Sequence, residues 1–351
     1  MHRGLGRSVF VSTFPRDEAG LASRPGGGDP VFTSLHIAEE FDGTFAARAR
    51  AMCLRLAELG YEVVADVSKR TLDVFGESDV AELALSLRLS ALRLDYGFSL
   101  EETEAVARRV PVCLNASTLP PEHIARVARS GARVVGMHNY YPRPETGLDD
   151  DRLAATNRAL AGLGVEAWSF VAGDLELRGP LRLGLPTAES HRGAAPYAAY
   201  VDSLLRLGAV GVMVGDGPLG DYDAGLARSF AETGTIALPV DFLDPYRYLE
   251  GTAFTVRADS PARVLRLQES REYATAGARI DPYNALERKT GSVTMDNAGY
   301  LRYSGEIQVT REDLPADPRV NVIGRVPPRY SLLLRNCAPG ARIKFAPPEG
   351  R

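Results

Sequence analysis

The sequence predicts an α/β protein: a (β/α)8 barrel of the TIM type with an irregular first βα unit, followed by a smaller all-β domain. Short β-branched runs alternate with amphipathic segments up to about residue 232, and eight such runs can be counted. After that point the alternation gives way to short strands separated by turn residues. We therefore expect residues 1–234 to form the barrel and residues 235–351 to form the second domain.

The predicted barrel strands are short apolar runs, as parallel strands require when both of their faces are buried. They comprise residues 8–14, 31–37, 62–67, 91–96, 112–116, 133–139, 166–171 and 210–215. The intervening helices are predicted at 44–59, 100–109, 121–130, 149–163 and 197–207. In the first of these helices Phe45, Ala49 and Met52 recur at helical spacing, and Gly60 follows as the expected C-cap.

The first βα unit departs from this pattern. Residues 15–30 are rich in glycine and proline and are too few for a full crossover helix. This corner of the barrel is therefore expected to be open or covered by a partner, and a homodimer is one assembly that would cover it.

The second domain is predicted from short strands with little helix between them, and it should form a small β-barrel. The strands are expected at residues 255–257, 263–267, 291–296, 300–303, 305–309 and 320–326. Residues 297–300 have the composition of a hairpin turn between two of these strands.

The composition narrows the class of protein. The chain has 351 residues, of which 45% are hydrophobic, and its formal net charge of -4 argues against nucleic acid or an anionic membrane as the main partner. We find no long apolar span and no secretory leader, so we expect a soluble cytoplasmic protein. The three cysteines, Cys53, Cys113 and Cys337, are widely separated, and we expect buried thiols.

Acidic residues follow three of the predicted barrel strands, where the active sites of such barrels are built. Asp66, Asp95 and Asp216 come at the ends of strands three, four and eight. Alternation along a strand places Arg93 on the same side as Asp95, where it can influence the charge of that carboxylate. The alternative for Asp66 or Asp216 alone is a cap for the following helix.

Two further loops carry polar groups. After strand seven, Glu189, His191 and Arg192 lie close to the start of a helix, although helix capping is an alternative role for the acid. After strand six, residues 138–143 form a block of polar and aromatic side chains that is stiffened by two prolines. For His138 the alternative is a hydrogen-bonded histidine of the interior.

Two or more carboxylates at one barrel mouth fit glycoside hydrolysis, with one acid protonated and the other ionised. Arginines among them fit an anionic, phosphorylated substrate. The sequence has no H-x-x-x-H or H-E-x-x-H pair and no phosphate-binding glycine motif, so neither a metal nor a nucleotide cofactor is expected.

These blocks resemble the 6-phospho-N-acetylmuramidases (MupG-type) over nearly the whole chain. The matching segments are 32–34, 66–68, 93–98, 115–117, 138–143, 146–148, 184–187, 189, 191–192, 215–216, 291–297, 303–306 and 319–325. The resemblance implies a TIM barrel with a cyclophilin-like C-terminal domain. It also implies hydrolysis of the bond between phosphorylated N-acetylmuramic acid and N-acetylglucosamine, during cytoplasmic recycling of cell-wall disaccharides.

The chain departs from the family pattern in its first βα unit, where the first helix is expected to be largely missing, and before the loop motif that follows strand seven. The usual Pro-Glu after strand one appears as Phe14-Pro15-Arg16, and Leu183 stands where an acid often precedes the Gly-Leu-Pro-Thr motif. The alternative function is therefore a non-catalytic or divergent phosphosugar-binding protein.

The hypothesis from the sequence is a glycosidase acting on a small phosphorylated amino-sugar disaccharide. Asp95 and either Glu189 or Asp216 would form the acid and nucleophile/base pair, with Asp66 as a further candidate. The residues expected to position the sugar are Asn115, His138, Asn139, Tyr141 and His191. Those expected to hold phosphate or the lactyl carboxylate are Arg143, Arg192 and, from the second domain, Arg325.

Overall fold

A computed structural model describes residues 4–23, 26, 28–36, 41–95, 97–131, 133–270 and 279–350. These residues form two compact units. The barrel unit contains residues up to 196 together with 203–220, and the β unit contains residues 197–202 together with 221–350. The predicted domain boundary at residue 234 stays a prediction.

The barrel unit is built on a closed sheet of eight parallel strands in sequential order, which confirms the predicted fold class. The strands are β1 (Leu5–Ser8), β2 (Pro30–Ser34), β3 (Glu62–Val67), β4 (Ala91–Leu94), β5 (Val112–Asn115), β6 (Val134–Met137), β7 (Glu166–Val171) and β8 (Gly211–Val214). Strand β8 pairs with β1 and closes the barrel.

Helices follow the strands, and most lie within two residues of the predicted ranges. They are α1 (Phe14–Ala22), α2 (Phe45–Glu58), α3 (Lys69–Phe75), α4 (Val80–Ser86), α5 (Leu100–Ala107), α6 (Pro121–Ala128), α7 (Asp150–Gly162) and α8 (Pro196–Leu205). A single 3-10 turn, Glu189–His191, precedes α8. Helix α5 begins with a capping box in which Ser99 and Glu102 each accept a hydrogen bond from the backbone N–H of the other. The pair α3 and α4 was not predicted.

The first unit differs from the prediction. Strand β1 ends at Ser8 rather than running from 8 to 14, and residues from Phe14 onward form the nine-residue helix α1. The prediction that residues 15–30 are too short for a crossover helix was wrong in this respect. Pro15 lies in the first turn of α1, where a missing N–H costs nothing, so it starts the helix instead of breaking it.

The barrel has two apolar layers. Inside the barrel, Phe32, Val64, Met137, Phe170 and Met213 belong to one cluster. Between strands and helices, a larger cluster includes the buried face of α2. Interior and helix-facing residues alternate along each strand. The interior residues therefore indicate which polar residues at the strand ends also point inward, toward the barrel mouth.

The β unit contains two sheets and short helices. Its strands are β9 (Ile236–Pro239), β10 (Asp241–Phe242), β11 (Ala253–Thr255), β12 (Val264–Arg266), β13 (Ser292–Asp296), β14 (Ile307–Thr310), β15 (Val320–Arg325) and β16 (Arg342–Ala346). One sheet has the order β10-β15-β13-β14-β12 and the other has the order β11-β16-β9. The helices are α9 (Asp221–Thr233) and α10 (Leu332–Asn336), and 3-10 turns lie at Asp244–Leu249, Ala298–Tyr303 and Pro328–Tyr330.

One predicted strand of this unit, residues 300–303, was wrong. Asn297 accepts a hydrogen bond from Gly299 N–H and starts the 3-10 turn Ala298–Tyr303, which lies within the connection between β13 and β14. Asparagine at such a position caps a helical turn as readily as it starts a hairpin, and this explains the error.

The cysteine prediction is confirmed, because Cys53, Cys113 and Cys337 are all buried free thiols. Burial raises the pKa of each thiol to about 12. Within the described ranges, every helix is too short or too polar to cross a membrane.

Candidate active site

The strand register aligns polar side chains from neighbouring strands at the C-terminal mouth of the barrel. Ser34 of β2 lies opposite Asp66 of β3, and Asp66 lies opposite Arg93 of β4. His36 and Asp95 each follow by two residues on the same face of their segments. The register therefore concentrates an acid, a base and a fixed cation in one layer above the apolar interior.

These side chains form a carboxylate–histidine cluster that consists of His36, Asp66 and Asp95. The His36 ring lies between the two acids, with Nδ1 3.5 Å from Asp66 Oδ2 and Nε2 3.7 Å from Asp95 Oδ2. One oxygen of each acid and one ring nitrogen all lie within 4.8 Å of one another. The side chain of Asp66 is only 6% exposed, whereas that of Asp95 is 31% exposed. Asp95 is thus the carboxylate that a ligand in the mouth can reach.

Arg93 holds this cluster from below. Its Nη1 donates to Asp66 Oδ1 at 2.9 Å and lies 4.0 Å from Asp95 Oδ1, while Nη2 donates to Asn139 Oδ1. Burial raises the pKa of Asp66 above its usual range, and the attraction of Arg93 and His36 works against this rise. The two acids therefore have different environments: Asp66 is buried and ion-paired, whereas Asp95 is open to solvent.

The spacing within the cluster would also suit the ligands of a metal ion. However, the guanidinium of Arg93 sets a permanent positive charge against Asp66, and a divalent cation bound to the same carboxylate would be repelled by it. The arrangement fits proton transfer and charge stabilisation better than metal binding.

Asp216, a predicted catalytic candidate, is fully buried after β8. It accepts hydrogen bonds from three backbone N–H groups of the loop after β7: Gly173 at 2.9 Å, Arg178 at 2.9 Å and Leu185 at 3.0 Å. The preceding Gly215 permits this, since a Cβ there would lie 2.6 Å from the Leu185 carbonyl oxygen. These contacts make Asp216 an anchor for the loop and keep it away from solvent.

Glu189, the other predicted partner of Asp95, is also tied to the backbone. It accepts from Glu145 N–H at 2.9 Å and Gly147 N–H at 2.8 Å, and its two oxygens pair with Arg192 at 2.7 and 2.9 Å. The hydrogen bonds from Arg192 and these N–H groups lower the pKa of Glu189 to about 2. A carboxylate held ionised in this way is poorly suited to act as a general acid.

Arg192 has many carbonyl partners besides Glu189. Its Nη1 donates to the Leu183 and Gly184 oxygens, both at 3.2 Å, and its Nη2 donates to the Tyr141 and Arg143 oxygens at 2.9 and 3.3 Å. The guanidinium thereby joins the loop after β6 to the loop after β7. With its donors engaged in this way, it has little capacity left for a phosphate group.

His138 lies beneath helix α7 in a chain of hydrogen bonds. Asn157 Nδ2 donates to the Leu207 oxygen at 2.8 Å, so its Oδ1 faces His138 Nε2, also at 2.8 Å, and the ring proton belongs on Nε2. Ser117 Oγ then donates to Nδ1 at 3.2 Å and accepts from Asn139 N–H at 2.9 Å. Burial lowers the pKa of His138 to about 4. The alternative of a hydrogen-bonded interior histidine fits this geometry, and its effect is to fix the backbone of Asn139.

The other predicted substrate-binding residues are dispersed. Asn115 is buried and accepts from Ser117 N–H at 3.1 Å, Tyr141 packs beside Leu148 and Leu153, and His191 is buried. Arg143 is exposed on the loop after β6. Arg325 is exposed at the end of β15 in the β unit. Asn139, one of the residues predicted to contact the sugar, accepts a hydrogen bond from Arg93, which also binds Asp66 of the carboxylate–histidine cluster.

His36 and Tyr140 of the mouth were not predicted as site residues. His36 stands two residues after the end of β2, and the alternation of Phe32, Ser34 and His36 would have pointed to it. Tyr140 lies next to the predicted Tyr141, but its ring makes edge contacts with Phe32 and Phe170 of the barrel interior. In the loop beyond β6 the alternation of the strand ends, so the sequence alone could not assign the inward position.

Comparison with known proteins supports one family over the whole chain. Residues 5–224 match the family model described as 6-phospho-N-acetylmuramidase, N-terminal, and residues 238–346 match the corresponding C-terminal model. The crystal structure of a conserved protein of unknown function from a locus in Enterococcus faecalis is 31% identical, with a TM-score of 0.82 over 99% of this chain and 97% of that chain. An uncharacterized B. cereus protein is 20% identical, with a TM-score of 0.77 over 98% and 99% of the two chains, and supports the fold alone. A search of curated proteins gave no match.

Proposed function

The chain belongs to the 6-phospho-N-acetylmuramidase family, a family of glycosidases by name, and on this premise we propose which bond it cleaves and with which residues. The substrate is the disaccharide of 6-phospho-N-acetylmuramic acid and N-acetylglucosamine, a small phosphorylated product of cytoplasmic cell-wall recycling. The observation that carries the catalytic part of the proposal is the carboxylate–histidine cluster at the barrel mouth.

Asp95 acts as the nucleophile in this proposal. Its carboxylate is the more exposed of the two acids, and its Oδ1 lies 4.0 Å from Arg93 Nη1. Attack on the anomeric carbon forms a covalent glycosyl ester while the bond to the leaving sugar breaks. Water then cleaves the ester and releases the phosphorylated sugar, which restores the Asp95 carboxylate.

The proton for the leaving oxygen comes from the pair of His36 and Asp66. Asp66 accepts a hydrogen bond from Arg93 on one oxygen and faces His36 Nδ1 with the other, so it can orient the imidazole. His36 is 28% exposed and can reach a ligand in the mouth, whereas Asp66 is not accessible enough to do so. In the second step His36 takes a proton from the attacking water.

A covalent intermediate on Asp95 implies a retaining reaction. The anomeric carbon is attacked twice, first by Asp95 and then by water, and each attack inverts its configuration. We therefore expect the first-formed product to keep the anomeric configuration of the substrate, as proton NMR during the first turnovers would show.

The deciding experiment compares the wild-type protein with Asp95→Asn on the phosphorylated disaccharide. Loss of the nucleophile should lower kcat by about 10²- to 10⁴-fold or more, with unchanged thermal unfolding because the side chain is partly exposed. Glu145→Gln is the matched control, since Glu145 is an exposed acid outside the cluster. Activity should also persist in a metal chelator.

Wild-type turnover that survives in Asp95→Asn would remove this residue from the mechanism. Binding of the phosphorylated sugar by calorimetry without any turnover would instead favour a phosphosugar-binding protein, the alternative that Leu183 and the first unit motivate.

A further inference from the structure

A second concave region of the barrel unit lies beside the cluster. It has a volume of about 550 Å³, within the range of small-molecule sites, and we call it the arginine pocket. Its walls include Phe10, Tyr140, Leu185 and three arginines, Arg16, Arg178 and Arg182. The sequence hypothesis did not use any of these arginines.

The pocket lies over the C-terminal ends of β1, β7 and β8. Phe10 follows β1 by two residues, Arg178 and Arg182 belong to the loop after β7, and Gly217 follows β8. In TIM barrels the loops after strands seven and eight frequently form a phosphate site. The position of the pocket in the barrel therefore favours a phosphorylated ligand.

Arg178 is held in place before any ligand arrives. Its Cζ lies 3.6 Å from the centroid of the Phe10 ring, and its Nη1 donates to Tyr140 Oη at 3.3 Å. Its backbone N–H is bound by Asp216. A planar guanidinium that is already oriented loses little conformational entropy when it binds a phosphate.

Arg182 and Arg16 contribute differently. Arg182 N–H donates to the Arg178 oxygen at 3.2 Å, so one turn of the loop brings both arginines to the same rim, and Arg182 is exposed. Arg16 pairs with Glu176, another lining residue, at 2.5 Å and with Asp17 at 2.9 Å. Because Arg16 compensates the charge of Glu176, this acid opposes an anion in the pocket less strongly.

Tyr140 forms the link between the pocket and the carboxylate–histidine cluster. Its hydroxyl bonds to Arg178, and electrostatic interactions with Arg178, Asp66 and Arg93 all act on this phenol. Tyr140 therefore lines the arginine pocket and also interacts with the residues of the barrel mouth.

We propose that Arg178 and Arg182 bind the phosphomonoester of the substrate, in place of the sequence-predicted Arg143, Arg192 and Arg325. This inference rests on the proposed function for the identity of the substrate. Arg192 is engaged with carbonyls and Glu189, whereas Arg178 and Arg182 both line the arginine pocket.

The test measures kcat/KM on the 6-phosphorylated disaccharide and on its unphosphorylated form. Arg182→Gln and Arg178→Gln should each lower kcat/KM for the phosphorylated substrate by about 10- to 100-fold, the value of a charge-assisted contact, and change the unphosphorylated reaction little. Arg88→Gln is the matched control. Arg88 is exposed like Arg182, and its φ of 54° is close to the 55° of Arg182. Arg88 precedes β4 and therefore lies at the opposite end of the strands.

Equal losses on both substrates would overturn the inference, since the pocket would then bind a group common to both, such as the lactyl carboxylate. A selective loss in Arg143→Gln with Arg182→Gln unchanged would overturn it as well. If the wild-type protein cleaves neither substrate, the proposed function fails by itself, and calorimetry with inorganic phosphate then decides. Phosphate binding that Arg182→Gln abolishes supports the pocket, and no binding to the wild-type protein contradicts it.

Discussion

The two sides of the barrel mouth use the same residue types for opposite purposes. On the side of β2 to β4, Asp66 and Asp95 meet a histidine and an arginine, and one acid remains open to solvent. On the side of β6 to β8, Glu189 and Asp216 accept backbone N–H groups from neighbouring loops. A carboxylate surrounded by N–H donors stays ionised and holds structure, whereas one beside an imidazole can take part in proton transfer.

Residues 138–148 and 184–192, which include the most distinctive sequence blocks, bind to each other through their backbones. Tyr141 N–H bonds to the Pro186 oxygen at 2.9 Å, and Thr187 Oγ1 donates to the Asn139 oxygen at 2.8 Å. Leu148 and Ala188 form a parallel bridge. Residues 138–148 and 184–192 therefore fasten two loops together, and the arginine pocket lies partly within this rigid frame.

The largest effect should come from Asp66→Asn, which tests the chemical side. Arg93 is buried, and among the described residues Asp66 is the charged group within hydrogen-bond distance of it. Without this partner, the free energy of unfolding should fall by about 3 to 5 kcal/mol. Turnover should be lost as well. Urea denaturation followed by circular dichroism measures the first effect. Asp95→Asn, which should lose turnover alone, is the comparison, and equal stability of both variants would contradict the assignment of Asp66.

A smaller effect is expected from Asp216→Asn on the structural side. The NH2 group that replaces one carboxylate oxygen cannot accept a hydrogen bond, so at least one backbone N–H of the loop loses its partner. This loss should lower the free energy of unfolding by about 1 to 3 kcal/mol. Hydrogen exchange at Gly173, Arg178 and Leu185 should become faster, and KM should rise more than kcat falls. Asp149→Asn is a suitable control, because Asp149 makes no side-chain cap to α7. A fall in kcat with an unchanged loop would return Asp216 to the catalytic candidates.

The smallest effect concerns acid stability and Glu189. Because its folded pKa of about 2 lies below the ordinary 4.5, Glu189 stabilises the fold above pH 4.5, and this contribution is lost as the pH falls toward 2. After allowance for solvent screening we expect Glu189→Gln to be about 1 to 2 kcal/mol less stable at pH 7, with a difference that shrinks below about pH 5. Denaturation curves at several pH values, with Glu145→Gln as control, measure this difference. A difference that does not change with pH would contradict the prediction.

The sequence predicted the barrel well because its strands are buried on both faces. Residues 62–67, 112–115 and 166–171 are uninterrupted buried or nearly buried runs, and turns bound them clearly. The first strand was misplaced because Val9, Phe10 and Val11 are as buried as a strand, although they belong to the connection that leads to α1. Burial alone does not distinguish a strand from a packed loop.

The candidate site was harder to predict, since a side chain's chemistry depends on distant partners. Asp66 and Asp95 were both among the candidates, but the sequence ranked Glu189 and Asp216 above Asp66. The backbone N–H groups that donate to those two acids come from residues 31 to 44 positions away along the chain. Local sequence patterns do not indicate these N–H donors. By contrast, the alternation along the chain does indicate that His36 lies on the same inward face as Ser34.

The hydrogen-bond chain through His138 has a spectroscopic consequence. Its two ends are backbone groups, Asn139 N–H and the Leu207 carbonyl, and its imidazole stays neutral across the neutral pH range because its pKa lies near 4. In an NMR titration around neutral pH the ring resonances of this histidine should therefore stay constant. His138 provides an internal reference signal for the histidine region of the spectrum.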